Sequence, residues 1–236
     1  MKQSIPTSFK YLDIVVVVFI ATLIISNIGS TKIVGIGPIT FDGGTILFPL
    51  AYILGDVLTE VYGFRYTRRV IWLGFIVLAL TAGVLGLINI LPAATGTEAG
   101  ATAFATIAGF IPRIVLASLI AYIIGEFINT ILLAKLKVRT NGKHYWARSL
   151  AASSVGELFD TLIFSTIAFA GTLPGGDFVR LIITVYLMKL GFELIAVGFT
   201  SRIVRILKRR EASDPYDTFE RFRVVGGLQS AETPKR

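Results

Sequence analysis

The sequence contains no cysteine and a single histidine, His144. Without thiols there is no disulfide framework, no thiolate nucleophile and no cysteine-bound metal. One imidazole rules out His-Glu-x-x-His and the multi-histidine zinc sets, so no metal and no cofactor is expected. No Gly-x-x-x-x-Gly-Lys-(Ser or Thr) occurs, so any ATP used would be hydrolysed by another chain. Charge is scarce too: 16% of 236 residues against 54% apolar, with a mean hydropathy of +0.74. A soluble domain carries about 25% charged residues, so the composition describes a polytopic membrane protein. The net charge of +8 would suit nucleic acid, but its Lys and Arg fall in short clusters between apolar runs, as in cytoplasmic loops. No nucleic-acid partner is expected. The usual metal-hydrolase ligands are missing; a carboxylate-only intramembrane protease stays open, and the chain is not read as an enzyme.

A membrane-spanning helix takes about 20 mostly apolar residues, and six runs qualify: Leu12 to Ile28, Thr45 to Tyr62, Val70 to Ile90, Ile111 to Leu136, Leu150 to Ala170, and Val179 to about Thr200. The first is too long for a signal-peptide core and has no small-residue cleavage site, so it is read as a helix of the mature protein. Arg65, Arg68 and Arg69 follow the second run, Lys135 to Arg148 supply five cations after the fourth, and Arg202 to Arg210 five after the sixth. The opposite segments hold little more than Lys32 and Arg180. The positive-inside rule then puts both termini in the cytoplasm. The expected fold is an all-α membrane protein, a bundle of six transmembrane helices over residues 1–206 with a polar cytoplasmic tail over 207–236. Between the first two runs, Ile33 to Phe41 alternates weakly around Gly-Ile-Gly-Pro, which suggests a small outer hairpin or an ordinary connecting loop. Pro92 to Gly100 reads as loop, leading into a short surface helix before Pro112.

Two stretches, Ser118–Leu132 and Ser149–Ile163, share Ser-Leu followed by Gly-Glu-x-x-(Asn or Asp)-Thr at one offset, six identities in fifteen. Residues three apart share a helix face, so Glu126 with Asn129 and Glu157 with Asp160 each make a polar patch at a depth where such groups are costly and mark function. Asp56 with Glu60, and Lys189 with Glu193, form similar patches in the second and sixth runs. All four faces are expected to turn towards a shared cavity. An aromatic stands one turn away on each: Tyr52 with Asp56, Tyr122 with Glu126, Phe164 with Asp160, Tyr186 with Lys189. Rings beside hydrogen-bonding groups suit a flat, polar ligand. Ordinary readings stand beside these. Lys189 and Glu193 can neutralise each other within one helix, Glu60 can snorkel to the interface, and Asn27 can cap a helix end as well as touch a ligand. A structural polar network can join the fourth and fifth runs, Arg113 can anchor at the interface, and His144 reads as a solvated loop residue. The two stretches cross the bilayer in opposite directions, as inverted pairs around a midplane site do, although six matches between apolar helices also arise by chance.

The segments Ser26-Asn27-Ile28, Phe48-Pro49-Leu50, Gly55-Asp56-Val57-Leu58-Thr59-Glu60-Val61-Tyr62-Gly63 and Arg68-Arg69-Val70-Ile71-Trp72 resemble the first half of the queuosine precursor transporter family. Trp146 with Arg148, the run from Ser149-Leu150 to Asp160-Thr161, and Lys189 are similar to its second half, so the resemblance covers roughly residues 11 to 206. It implies uptake of 7-deazaguanine bases, chiefly 7-cyano-7-deazaguanine, across the bacterial inner membrane to supply queuosine for tRNA. The family pattern admits an amide where Glu126 stands and a carboxylate where Asn129 stands. A guanine-like edge offers two adjacent N–H donors and a carbonyl, so Asp160 or Glu157 would accept and Asn129 or Lys189 would donate. The expected substrate-binding residues are Asn27, Asp56, Tyr122, Glu126, Asn129, Glu157, Asp160 and Lys189. The expected partners are the base and membrane lipid, with a second copy of the chain and a separate energising subunit both left open by the sequence. The alternatives are a membrane subunit of an energy-coupling-factor type vitamin or nucleobase importer, and a proton or cation carrier.

Overall fold

The computed structural model describes residues 9–140 and 145–211. His144, the tail from 212 onwards and the side chains of Tyr52, Trp146 and Arg148 lie outside the described residues. The chain is mostly helical: α1 (Leu12–Gly29), strands β1 (Ile33–Ile36) and β2 (Ile39–Asp42), a 3-10 turn Gly43–Leu47, α2 (Phe48–Val57) running into a π-turn Leu58–Tyr62, α3 (Phe64–Asn89), α4 (Glu98–Arg139), α5 (Tyr145–Phe169) and α6 (Gly175–Glu211). Five helical segments among the described residues are long and apolar enough to cross a membrane: Leu12–Gly29, Gly43–Tyr62, Tyr66–Asn89, Glu98–Asn129 and Leu150–Phe169. The sixth expected run lies within α6 and is not among these five. Large apolar side chains such as Val17, Ile76, Leu80, Leu187 and Ile195 are exposed around the outside, as expected where the solvent is hydrocarbon rather than water.

The segment Ile33–Phe41 forms an antiparallel hairpin, with Ile36 opposite Ile39 across a turn in which Gly37 takes φ 58°, a backbone state that glycine adopts without strain. Phe41 of β2 packs with Ile114 and Ala117 of α4, Phe169 of α5 and Leu181 and Val185 of α6, which ties the hairpin to the bundle. Pro49 stands in the first turn of α2, where its missing N–H has no partner to lose. The helix closes through a π-turn, and Gly63, at φ 87°, ends it.

Two expectations about boundaries change. The loop expected over Pro92 to Gly100 gives way to helix from Glu98, and α4 runs unbroken past Pro112 for 42 residues; proline costs an interior helix a hydrogen bond and steric room, but neighbouring contacts can hold it. Arg113 does more than anchor at an interface: its Nε and Nη2 donate to the Ile167 and Ala170 carbonyls at 2.6 and 2.7 Å, capping the end of α5. At the other end of the bundle, α6 continues through residue 207 to Glu211. Its carboxylate accepts the Lys10 and Tyr11 amides at 2.8 and 2.7 Å and the Tyr62 hydroxyl at 3.1 Å, so it holds the start of α1 against the end of the second span.

Candidate functional site

The two Gly-Glu-x-x motifs meet in close packing between α4 and α5. A Cβ on Gly125 would lie 3.0 Å from Asp160 Cβ and from the Gly156 carbonyl; a Cβ on Gly156 would lie 2.9 Å from Asn129 Cβ and from the Gly125 carbonyl. Each glycine therefore rests on the Asn or Asp position of the other motif, and only a missing side chain lets the two backbones approach so closely. With Gly125 and Asn129 on the shared face of α4, and Gly156 and Asp160 on that of α5, the next residues, Glu126 and Glu157, stand about 100° round their helices. That rotation sends the two acids to different neighbours.

Glu126 turns to α3. There Arg68, Ile71, Trp72 and Phe75 of α3 and Tyr122, Ile123 and Glu126 of α4 line a cleft enclosing about 440 Å³ counted out to its open mouth. The Phe75 and Tyr122 rings sit 5.5 Å apart at 52°. The walls are aromatic and aliphatic, and one carboxylate and one guanidinium supply the polar ends. Sequence reasoning missed Arg68, Trp72 and Phe75 as a site, although their spacing of four and three residues puts them on one helical stripe.

Glu157 belongs to a second cluster, between α5 and α6. Lys189 is 9% exposed, and its ammonium lies 2.5 Å from Asp160 Oδ2 and 4.9 Å from the Phe48 ring centroid of α2. Lys189 thus bridges across helices and does not fold back on Glu193, whose Oε1 instead accepts the Ser153 hydroxyl at 2.5 Å. Burial does not select the partner, since Glu193 is 4% exposed and the Asp160 side chain 24%; Glu193 is already engaged by Ser153. The Tyr186 hydroxyl donates to the Ser154 carbonyl at 3.2 Å. Of the expected ring partners, Tyr122 lines a cleft together with its acid, whereas Phe164 packs edge-on against Phe169 at 5.8 Å and the ring over Lys189 is Phe48, not Tyr186.

The remaining expected residues are more scattered. Asn129 is at the α4–α5 crossing. Asp56 is half-buried in α2, within electrostatic reach of Glu60 and Glu193. Glu60 is largely exposed and pairs with Lys208 at 3.0 Å, as a snorkelling acid would. Asn27 is buried, and its Nδ2 donates to the Leu23 carbonyl at 2.9 Å. It does not cap α1, which runs on to Gly29 and is capped by Ser30. Tyr122 is within electrostatic reach of both Glu126 and Asp160 and so stands between the two clusters.

Several apolar spans with aromatic and charged groups between the helices define a multi-pass membrane protein. Residues 42–203 match the family described as "Putative vitamin uptake transporter". The chain is 30% identical over 190 residues to the "Probable queuosine precursor transporter" of Bacillus subtilis, covering 80% of this chain and 82% of that one. It is 26% identical over 126 residues to the protein of the same name from Haemophilus influenzae (53% of this chain, 51% of that one). To the "Queuosine precursor transporter" of Escherichia coli it is 27% identical over 126 residues (53% and 54%). No solved structure matches. The chain belongs to the queuosine precursor transporter family, and is therefore a multi-pass transporter of the bacterial inner membrane and not an enzyme.

Proposed function

We propose that the protein imports queuosine precursors, 7-cyano-7-deazaguanine and related 7-deazaguanine bases, for tRNA modification. In this reading α6 is the sixth span, both termini are cytoplasmic and the β1–β2 hairpin is on the outer side. The observation that carries the proposal is the aromatic cleft between α3 and α4, which has a carboxylate at its edge. Trp72, Phe75 and Tyr122 offer faces on which a flat heteroaromatic ring stacks, and Glu126 accepts the paired N–H donors of a guanine-like edge. Arg68 faces the carbonyl. The Asp160–Lys189 pair is a second polar site, outside this cleft, with Asp160 within electrostatic reach of Tyr122. A site built on such hydrogen bonds rejects analogues that lack them, because its own buried groups are then left unpaired.

The test is uptake of radiolabelled 7-cyano-7-deazaguanine by cells that cannot make it, with and without the gene. Expression should restore accumulation and queuosine in tRNA. Uptake no greater than in cells carrying the empty vector would overturn the assignment. We read the carrier as self-sufficient: purified protein in liposomes should move the base without ATP, whereas a requirement for a co-purifying ATPase would make it the binding subunit of a larger importer.

A further inference from the structure

Three carboxyls, Asp160, Glu157 and Asp42, lie within electrostatic reach of one ammonium, Lys189, and Glu193 lies within reach of Glu157. Asp160 holds that ammonium at 2.5 Å, and Glu193 accepts the Ser153 hydroxyl at 2.5 Å. Oε2 of Glu157 is buried, and no group among the described residues donates to it. Of the other charged and titratable groups nearby, Asp42 of β2 is buried, reaches Lys189 electrostatically and accepts the Ser30 and Thr45 hydroxyls; Tyr122 and Glu126 of α4 line the cleft towards α3, and Asp56 of α2 lies near Glu60 and Glu193. Ionised, that oxygen depends on the Lys189 ammonium, which Asp160 already engages, whereas a neutral carboxyl needs no cation. A proton is the smallest ligand that meets the need.

A second observation lies on the same helix. Thr161 and Ser165 follow Glu157 at steps of four residues, both are fully buried, and neither hydroxyl has a hydrogen-bond partner among the described residues. Thr22, Thr67, Thr81 and Ser154 each donate to the carbonyl four residues back, the ordinary resort of a hydroxyl in a helix. Thr161 and Ser165 do not, nor do they bond to each other or to Oε2 of Glu157, so the stripe lies between Glu157 and the buried Phe169 end of α5 with its donors and acceptors uncommitted.

We infer that Glu157 is the proton-binding carboxyl that couples uptake to proton entry, and that Thr161 and Ser165 relay the proton to it from the outer end of α5. This inference rests on the base-import reading above. A proton from outer water bonds to the Glu157 carboxylate. When the base leaves inwards, that O–H bond breaks and the proton passes to cytoplasmic water, restoring the carboxylate. One proton thus enters with each neutral base, and the base does not change chemically.

The test uses the full-length protein in liposomes that trap a pH-sensitive dye. Exchange of labelled for unlabelled 7-cyano-7-deazaguanine with no gradient probes base recognition alone; if the wild type shows none, the base reading fails, whatever happens to protons. With the outside one pH unit more acidic, the wild type should accumulate base up to about tenfold, since one unit is a tenfold proton ratio. Adding base should then acidify the lumen. Exchange without lumen acidification would overturn the proton site and leave the base reading standing. Glu157→Gln should abolish base-dependent acidification, and its persistence would overturn the proposal. Thr161→Val and Ser165→Ala should keep exchange but slow acidification; unchanged rates in both would remove the relay. If Glu157→Gln does not reach the membrane, the wild-type dye signal and the two hydroxyl variants still decide.

Discussion

The motifs Gly125-Glu126-x-x-Asn129 and Gly156-Glu157-x-x-Asp160 do the same thing with their backbones and different things with their acids. Each glycine receives the other helix at about the same separation, 3.0 and 2.9 Å for an added Cβ. From that shared contact Glu126 reaches a cleft walled by the rings of α3, and Glu157 reaches a cluster set by Lys189 of α6. The difference lies in the third helix: rings beside a carboxylate make a surface for stacking and edge recognition, whereas an ammonium among three carboxyls makes a charge balance that a proton can tip. A short motif can therefore fix how two helices cross and leave the function of its acid to whichever helix packs beside it.

Breaking the α5 side should have the largest effect. Lys189→Met leaves Asp160 without its cation in a mostly buried position, and removing one partner of such a pair costs about 3–5 kcal/mol. The fall should appear in membrane level and in melting temperature in detergent, and adding Asp160→Asn should recover part of it. Wild-type stability in Lys189→Met would mean that the pair does not hold α5 to α6. On the α4 side, Glu126→Gln should instead spare the membrane level, because an amide is easier to bury than a carboxylate. It should weaken base affinity about ten- to hundredfold, as expected for losing a charge-assisted bond of about 1.5–3 kcal/mol. Unchanged uptake at limiting base would move edge recognition to Asp160. The shared contact is tested by Gly125→Ala and Gly156→Ala, each adding a methyl where the opposing backbone stands; overpacking costs roughly 1–3 kcal/mol, and the two losses should be alike. A cost at one glycine only would show that the crossing is not reciprocal.

The features legible in the sequence are those decided within a few residues of chain. Apolar runs of sufficient length announced the helices, and Gly-Ile-Gly-Pro announced the hairpin turn, because hydropathy and φ preference are local. The i, i+3 pairs were legible for the same reason, as was the resemblance carried by the Asp56 to Gly63 segment. Helix partners were legible only as alternatives. Lys189 has Glu193 four residues away in its own helix and could equally be drawn to Asp160; its bond goes to Asp160 across the interface, although Glu193 is the more buried acid, and no spacing rule decides between them. The reciprocal seat of Gly125 and Gly156 was also invisible: the motif gave two matching patterns without saying that they touch. The α3 wall was hidden for a different reason. Arg68 belongs to a cluster of arginines that reads as a cytoplasmic loop, so the stripe joining it to Trp72 and Phe75 was absorbed into topology.

The smallest expected effect separates a ring from a hydroxyl at Tyr122. Its ring stands 5.5 Å from Phe75 and lines the cleft beside Glu126, whereas no hydrogen bond to its hydroxyl is found among the described residues. If the base stacks there, Tyr122→Ala removes one wall and should raise the apparent Km for uptake by the equivalent of about 1 kcal/mol, roughly fivefold, with little change in maximal rate. Tyr122→Phe keeps the wall and should stay near wild type. Equal losses in both variants would show that the hydroxyl is the contact, and the cleft would then act by hydrogen bonding rather than stacking. A fall in maximal rate alone would instead implicate the step that moves the base, and would place Tyr122 with the α5–α6 cluster, whose Asp160 lies within its electrostatic reach.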